Sequence, residues 1–547
     1  MSRTSVLGGD TRSRGMFSGR RSRKVMIARY GTCAVVLVLL VFLQVVGLLL
    51  GAALLALVFM VTADTGGGRS ISHWVQDKRR WQYRVRGGFT EFVPVDLRPD
   101  DRDPTAGDSK AERRESQREW NAFRDWPDGA TNLYWLESSS GTPAVAYHAP
   151  AGVTPYLSMA FSVDGPVQGL HGDAFVDQAQ AAFGQLMAGW GAGQKLVSGI
   201  QIITRVIPAD SALFEMWLED QLDPEAPADL RSDYTGLLAS LSSSSFVQRH
   251  YVVITIAVGD QFKATAKRHR DGLQGWLDVA TVEGASAAHR LEGAMYRNVK
   301  ALSGPQLAAV LRHLQHPDWP IDRASDVTVD TCWLRSHDEK AWTEVTAEYP
   351  DPLEPAVLMP ASTWYHRTAE IPAAALEVRE IDGLWLTPLL TGLDEQIVRT
   401  LSTHIAFTPA REAKITARKD ATTDQRDLIE AERKGRMVDD ETELALSAAN
   451  RRMADLRDGG GHHGGHWAAW ITVSARTHQE LVTACTVIEA AAADEAGINR
   501  LDWLDTIQSG AQATTWPLGR GISTPAKTVT TKVMTKVSTA TAKEAIS

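Results

Sequence analysis

The chain has 547 residues, 44% of them hydrophobic and 22% charged, a globular mixture that excludes a wholly disordered chain and leaves room for roughly two to four packed units. Three cysteines, none of them in a CxxC pair, exclude a disulfide scaffold, a zinc ribbon and a thioredoxin-like site. The formal net charge of -9 is unevenly divided: the first 90 residues carry +11 and the remaining 457 carry -20.

Residues 1–30 form a basic head of net +7, expected on the cytoplasmic side. Residues 31–63 carry no charge, which points to a membrane segment. As one helix, residues 33–63 would be about 46 Å long, against a hydrocarbon core of roughly 30 Å. A split near Gly47 and Gly51 makes two short spans. Arg20, Arg21, Arg23, Lys24 and Arg29 precede the run, and Lys78, Arg79, Arg80, Arg84 and Arg86 follow it. Because basic residues stay inside, two basic flanks predict a transmembrane hairpin in the plasma (inner) membrane. Both ends then lie in the cytoplasm; one tilted span is the alternative. Residues 64–95 make a membrane-proximal collar in which Trp74, Trp81 and Tyr83 interleave with the basic side chains. That composition suits the boundary with a lipid bilayer. Nucleic acid would accept it too, but the bilayer is the nearer partner. Residues 96–130 are a charged linker or surface helix.

The body divides into a first half, 131–330, and a second half, 331–522. In the first, strands are expected at 155–163, 197–207 and 251–258. Asp173 opens a helix carrying Phe175, Ala179, Ala182, Phe183, Leu186 and Trp190 at helical spacing. Further helical stretches are expected over 211–241, 285–302 and 305–314. The second half repeats the rhythm more loosely. Extended pieces fall at 356–362, 368–372 and 375–379, then come a helix over 394–403 and a strand over 403–408. A long charged helical region over 410–458 follows, with a packing stripe of Leu446, Ala449, Met453 and Leu456. A strand over 467–475 and a helix opened by the Thr477/Glu480 capping box close the series. Sheet-forming runs that recur twice predict an α+β body of split-βαβ, ferredoxin-like units. Residues 523–547, rich in Thr and Lys, are expected to be a flexible tail.

No catalytic, cofactor-binding or metal site is expected. Gly189, Gly191, Gly193 and Lys195 lack the spacing of a phosphate loop and follow a helix rather than precede one, so a glycine helix stop is the plainer reading. Asp260 at the end of strand 251–258 means little without that loop. His462, His463 and His466 have no acid or cysteine at ligand spacing, and His250 reads as a satisfied edge histidine. G-x-S-x-G, H-E-x-x-H and G-x-G-x-x-G are all absent.

The order of parts carries a resemblance. A basic head, a double membrane segment and Trp74 to Trp81 with its paired arginines resemble the small PrgI-like membrane component of conjugative secretion machines. Tyr234, Leu237 and Leu238 with Arg249, His250 and Tyr251, the charged helix, the strand over 467–475, and Gln508 through Trp516-Pro517-Leu518-Gly519 to Gly521 resemble the non-motor N-terminal half of the TraC/TrbE-type secretion ATPase. Similar motor-less fusions occur in actinobacterial integrative conjugative elements. The resemblance implies a non-enzymatic, cytoplasm-facing platform, without cofactor, in an oligomeric assembly. Its implied partners are a separate secretion ATPase and other inner-membrane pore subunits. No direct nucleic-acid binding is expected, since phosphate contacts need basic surface and the body is acidic. A type VII secretion membrane component with two N-terminal spans is the alternative.

Overall fold

A computed structural model describes residues 5–7, 31–33, 35–36, 46, 50–56, 58, 71–101, 103–151, 153–167, 171–191, 196–209, 221, 227, 229–234, 236–237, 246–319, 321, 326–350, 358–377, 379–381, 383–393, 396–408, 413–415, 450 and 464–521. Before the body come β1 (Ser5–Leu7), α1 (Ile71–Gly87), β2 (Glu91–Pro94), α2 (Lys110–Ala122) and β3 (Phe123–Arg124). The charged stretch before the body thus contains α2, whose start is fixed by a reciprocal capping box between Ser109 and Glu112.

The first half contains β4 (Leu133–Glu137), β5 (Val145–His148), β6 (Tyr156–Asp164), α3 (Asp173–Gly191), β7 (Val197–Pro208), β8 (Phe246–Ala257), α4 (Asp260–His269), α5 (Gly272–Gly293), β9 (Arg297–Ala301) and α6 (Gly304–Gln315). The second contains β10 (Ser336–Asp338), β11 (Thr343–Pro350), β12 (Leu358–Ile371), β13 (Arg379–Ile381), β14 (Val398–Thr408), β15 (Gly464–Ala475), α7 (His478–Asp494), β16 (Asp502–Trp503) and α8 (Gln508–Gln512).

These elements build a mixed α/β fold on one large sheet. Among the described residues its order is β3-β2-β10-β11-β12-β15-β14-β7-β8-β6-β5-β4, with β9 beside β6 and β16 beside β12. The order is a palindrome about the β14–β7 seam. Outward from the seam the first half runs β7-β8-β6-β9 and the second β14-β15-β12-β16. Each is the second, third, first and fourth strand of its own series. The seam is antiparallel, with Ile203 opposite Ser402. The two halves differ in one part: 3-10 turns at Ala373–Ala375 and Thr387–Leu389 stand between β12 and β14, where the first half has α3 between β6 and β7.

The sheet has two unlike faces because strand side chains alternate. On one, Leu157, Phe161, Val252 and Ile254 pack under Val279, Leu291, Trp190 and Phe262 of α5, α3 and α4. The same face of the second half sets Ile371, Leu401, Ile471 and Val473 under Leu481, Cys485 and Ile488 of α7. On the other face α6 lies over Ile203, Tyr251 and Val253, using Leu307, Val310, Leu311 and Leu314 at spacings of three, one and three. Much of the rest of that face is polar, with Gln201, Thr368, Thr400, Ser402, His404 and Thr472 buried under residues 508–521.

Three expected elements are corrected. The helix expected over 394–403 is strand from Val398 onward; its Thr and β-branched residues favour extended backbone, and its polar positions are buried rather than solvated. The helix expected over 285–302 is the end of α5 followed by β9. Met295 enters the left-handed region (φ 69°), so the helix stops there and the chain turns back to pair with β6. The pieces at 356–362 and 368–372 belong to the single strand β12. Most of the head, most of the hairpin, most of the helical stretch expected over 211–241, most of the charged region over 410–458 and the tail after 521 lie outside the described residues. No helix among those described is long and apolar enough to cross a membrane.

Candidate functional site

The segment over 508–521 is a strap across the polar sheet face. Gln508 substitutes for a strand neighbour: its Oε1 accepts the Thr368 N–H at 2.8 Å and its amide donates to the Thr368 carbonyl at 3.4 Å. The Gln512 amide donates to the Leu314 carbonyl at 3.2 Å, filling an orphan acceptor in the last turn of α6. Thr472 meets Thr368 and Thr515 through hydroxyl contacts of 2.8 and 2.9 Å. Gly129 is required by close approach: a Cβ there would strike Ala513 and the Gly510 carbonyl.

Gln201 of β7 is the centre of this face and is fully buried. Its amide donates to the carbonyls of Thr514 and Trp516 at 3.1 and 2.9 Å, and its Oε1 accepts the Gly519 N–H at 2.7 Å. One side chain thus bonds three backbone groups of the strap; the Thr514 and Trp516 carbonyls also accept from His404 and the Leu518 N–H, whereas the Gly519 N–H relies on Gln201. His404 Nε2 lies 3.0 Å from the Thr514 carbonyl, so this nitrogen carries the proton. Further along, Arg520 Nε donates to His148 Nδ1 at 2.9 Å, and His148 Nε2 meets Ser158 Oγ at 2.7 Å. Tyr156 donates its hydroxyl to the Gly519 carbonyl at 3.1 Å.

A second cluster ties the strap to α1. Arg84 leaves the last turn of α1 and forms ion pairs with Asp128 and with the fully buried Asp338. Asp338 also accepts from the Thr343 hydroxyl, the Ser509 N–H at 3.0 Å and the Ser509 hydroxyl at 2.7 Å. Asp128 receives a further contact from Arg124 at 2.9 Å. Burial pushes the Asp338 carboxyl above its ordinary range, and Arg84 pulls against that shift. Four segments remote in sequence, at 84, 124–128, 338–343 and 509, therefore meet in this cluster.

Burial holds four histidines under the strap and α6 in the neutral form. His148 and His313 are lowered well below the ordinary value, His366 is lowered to about 3 and His404 to about 4. The unfolded chain binds protons at these sites from about pH 6.5 downward, and the folded chain does so only near the lowered values. Their stabilisation is therefore complete above about pH 6.5 and is lost as pH falls through the window below it. Asp338, raised by burial, has the opposite sign and offsets part of this loss. The urea midpoint is expected to drop between pH 7 and pH 5. Each histidine contributes up to about 1.4 kcal/mol per pH unit, and His404→Gln should flatten the slope. A midpoint independent of pH over this range would refute the account.

Ser362, His316 and Asp318 lie together, but Asp318 accepts from Ser362 at 3.1 Å, from Trp364 at 3.0 Å and from Arg476. In a nucleophile relay the acid would instead orient the imidazole. The cleft beside the strap, bounded by Tyr156, Ser198, Thr255, His404 and Gly519, has no carboxylate, lysine or arginine in its wall. No group of His, Cys, Asp or Glu able to hold a metal ion occurs among the described residues.

The residues singled out in the sequence are scattered. Gly189 and Gly191 end α3, Asp260 opens α4 on the surface, and His466 is exposed in β15. His250 is partly buried in β8, 3.0 Å from Thr204 Oγ1. Tyr234 and Leu237 are surface residues; Lys195, Leu238, His462 and His463 lie outside the described residues. Only 508–521 enters the site. Gln201, His404, Arg84, Asp128 and Asp338 were missed. One available signal was the recurrence of Ser-Gly-x-Gln, as Ser303-Gly304-Pro305-Gln306 and Ser509-Gly510-Ala511-Gln512, after the last strand of each series.

No protein-family model matches this chain, and no curated protein matches it in sequence.

Proposed function

We propose that this chain is a non-catalytic component of a conjugative, type IV-like DNA-transfer apparatus. In this reading a two-span hairpin over 31–63 holds it in the inner membrane, and the body docks a separate secretion ATPase to the membrane pore from the cytoplasm. The pairing of β1 with β13 carries the reading. Ser5, Val6 and Leu7 precede the apolar run, yet they pair with Ile381, Glu380 and Arg379 far beyond it. One membrane crossing would put the two strands on opposite sides; their pairing calls for an even number. A second contact supports the hairpin. A Cβ on Gly51 would stand 2.7 Å from Val36 Cγ1, whereas residues 15 apart in one straight helix are separated by about 22 Å.

The docking role is supported by the strap's sequence, which resembles the segment that closes the non-motor half of the secretion ATPases. The strand order of each half supports two ferredoxin-like split-βαβ units. The acidic body argues for gripping proteins rather than DNA.

A chain carrying Cys33→Ser, Val6→Cys and Glu380→Cys tests this reading. Directly paired antiparallel positions lie within disulfide reach, and the two remaining native cysteines are buried. Oxidation in isolated membranes should crosslink the chain to itself, and pull-down after solubilisation should recover a P-loop secretion ATPase. Failure to crosslink within the chain would refute the hairpin. Recovery of small WXG-type substrates instead of a conjugative ATPase would transfer the protein to a type VII system.

A further inference from the structure

We propose that α1 lies flat on the membrane and that its outward face binds anionic phospholipid headgroups. This rests on the membrane anchoring proposed above. Trp74, Lys78, Arg79, Gln82, Val85 and Arg86 are all exposed and share one side of the helix at 100° per residue. Asp77, Trp81 and Arg84, at spacings of four and three, are half-buried on the other side. The faces thus differ in chemistry: Arg84 turns into the body, to Asp128 and Asp338, Arg80 lies on the same side and pairs with Asp77, and Lys78, Arg79 and Arg86 lie on the exposed arc.

The helix has one acid, Asp77, and it is occupied by Arg80 at 3.7 Å. The outward face is therefore left with uncompensated positive charge beside exposed aromatic surface. Trp74 is 61% exposed, and the Lys78 ammonium lies 5.3 Å from its ring centroid. Indole and ammonium are presented together, one to the acyl boundary and the other to phosphate. Tyr83, 68% exposed and stacked on Phe89 at 5.7 Å, adds a second exposed aromatic ring near the far end of the helix. The apolar run ends at Ala63, only a few residues before α1 begins. A basic and aromatic helix this close to a bilayer matches an anionic lipid surface. Nucleic acid shares the taste for basic and aromatic groups, but the body of net -20 would repel it.

The test uses the full chain with Cys33→Ser and a nitroxide on Gln82→Cys, reconstituted in nanodiscs of phosphatidylcholine with or without phosphatidylglycerol. A second label on Glu115→Cys of α2 serves as an exposed control. Position 82 should become several-fold less accessible to a water-soluble nickel chelate in the anionic discs, with position 115 unchanged. Replacing Lys78, Arg79 and Arg86 with glutamine should abolish the difference. A chain retained in the discs with position 82 equally accessible in both lipids would overturn this proposal and leave the anchor standing. Protection by duplex DNA rather than by anionic lipid would also overturn it. A chain not retained in either disc would overturn both readings.

Discussion

Trp516→Ala is expected to destabilise the protein by about 3–5 kcal/mol, the range for truncating a buried tryptophan. Its ring is 2% exposed and stands 5.4 Å from Trp333. Around it lie Leu518, Ile203 and the inner residues of α6. A cavity left there cannot be refilled by one neighbour, since helix, sheet and strap all contribute to its wall. The Trp516 carbonyl, which Gln201 holds, would persist in the variant, so the lost energy reports packing rather than the hydrogen bond. Urea unfolding should show a lower midpoint with an unchanged slope. A loss under about 1 kcal/mol, far below the usual large-to-small range, would mean that the strap is not packed as described.

Asp338→Ala should be comparably severe, costing about 3–5 kcal/mol, because it removes one member of a buried charged cluster and leaves the others. Arg84 would keep only Asp128 as a carboxylate, and the Thr343 hydroxyl and Ser509 N–H would lose their acceptor. Buried unpaired donors are expensive, whereas removing both partners of a buried pair is often close to neutral. Arg84→Met combined with Asp338→Leu should therefore be less damaging than Asp338→Ala alone. Equilibrium unfolding of the two singles and the double supplies the coupling energy. Additive losses would show that the two side chains are not energetically linked, and would remove the basis for calling the cluster a joint between α1 and the strap.

How far the sequence could be read depended on what each signal reports. Apolar runs such as 251–258 and 467–475 mark strands reliably because one or both of their faces need burial. The Thr477/Glu480 capping box is equally local, and the structure contains it. The alternation in β14 misled because Thr400, Ser402 and His404 look solvated. Their burial depends on a strap some hundred residues later in the chain. Gln201 was hidden for the same reason: a lone glutamine in a β-branched run gives no hint that it serves three backbone groups. Arg84 was misleading in a different way. It belongs to a row of basic residues, and only the position of Asp338 separates it from its exposed neighbours. The closing motif was legible as a motif, but each of its residues acquires a role only against its partner.

The exchange between the two halves also bears on how the protein is made. Residues of the strap bond to Gln201 across 315 positions and more, and α6 from the first half reaches β12 of the second through His316 and Ser362. Contacts between residues so distant in sequence slow folding, because loop-closure entropy must be met before they form. On the ribosome the first half would emerge with the polar face of β7 and β8 still open, and it could not complete its core until Trp516 and Leu518 had been synthesised. Folding of the body is therefore expected to finish only once the strap has been synthesised, as a single event joining both halves.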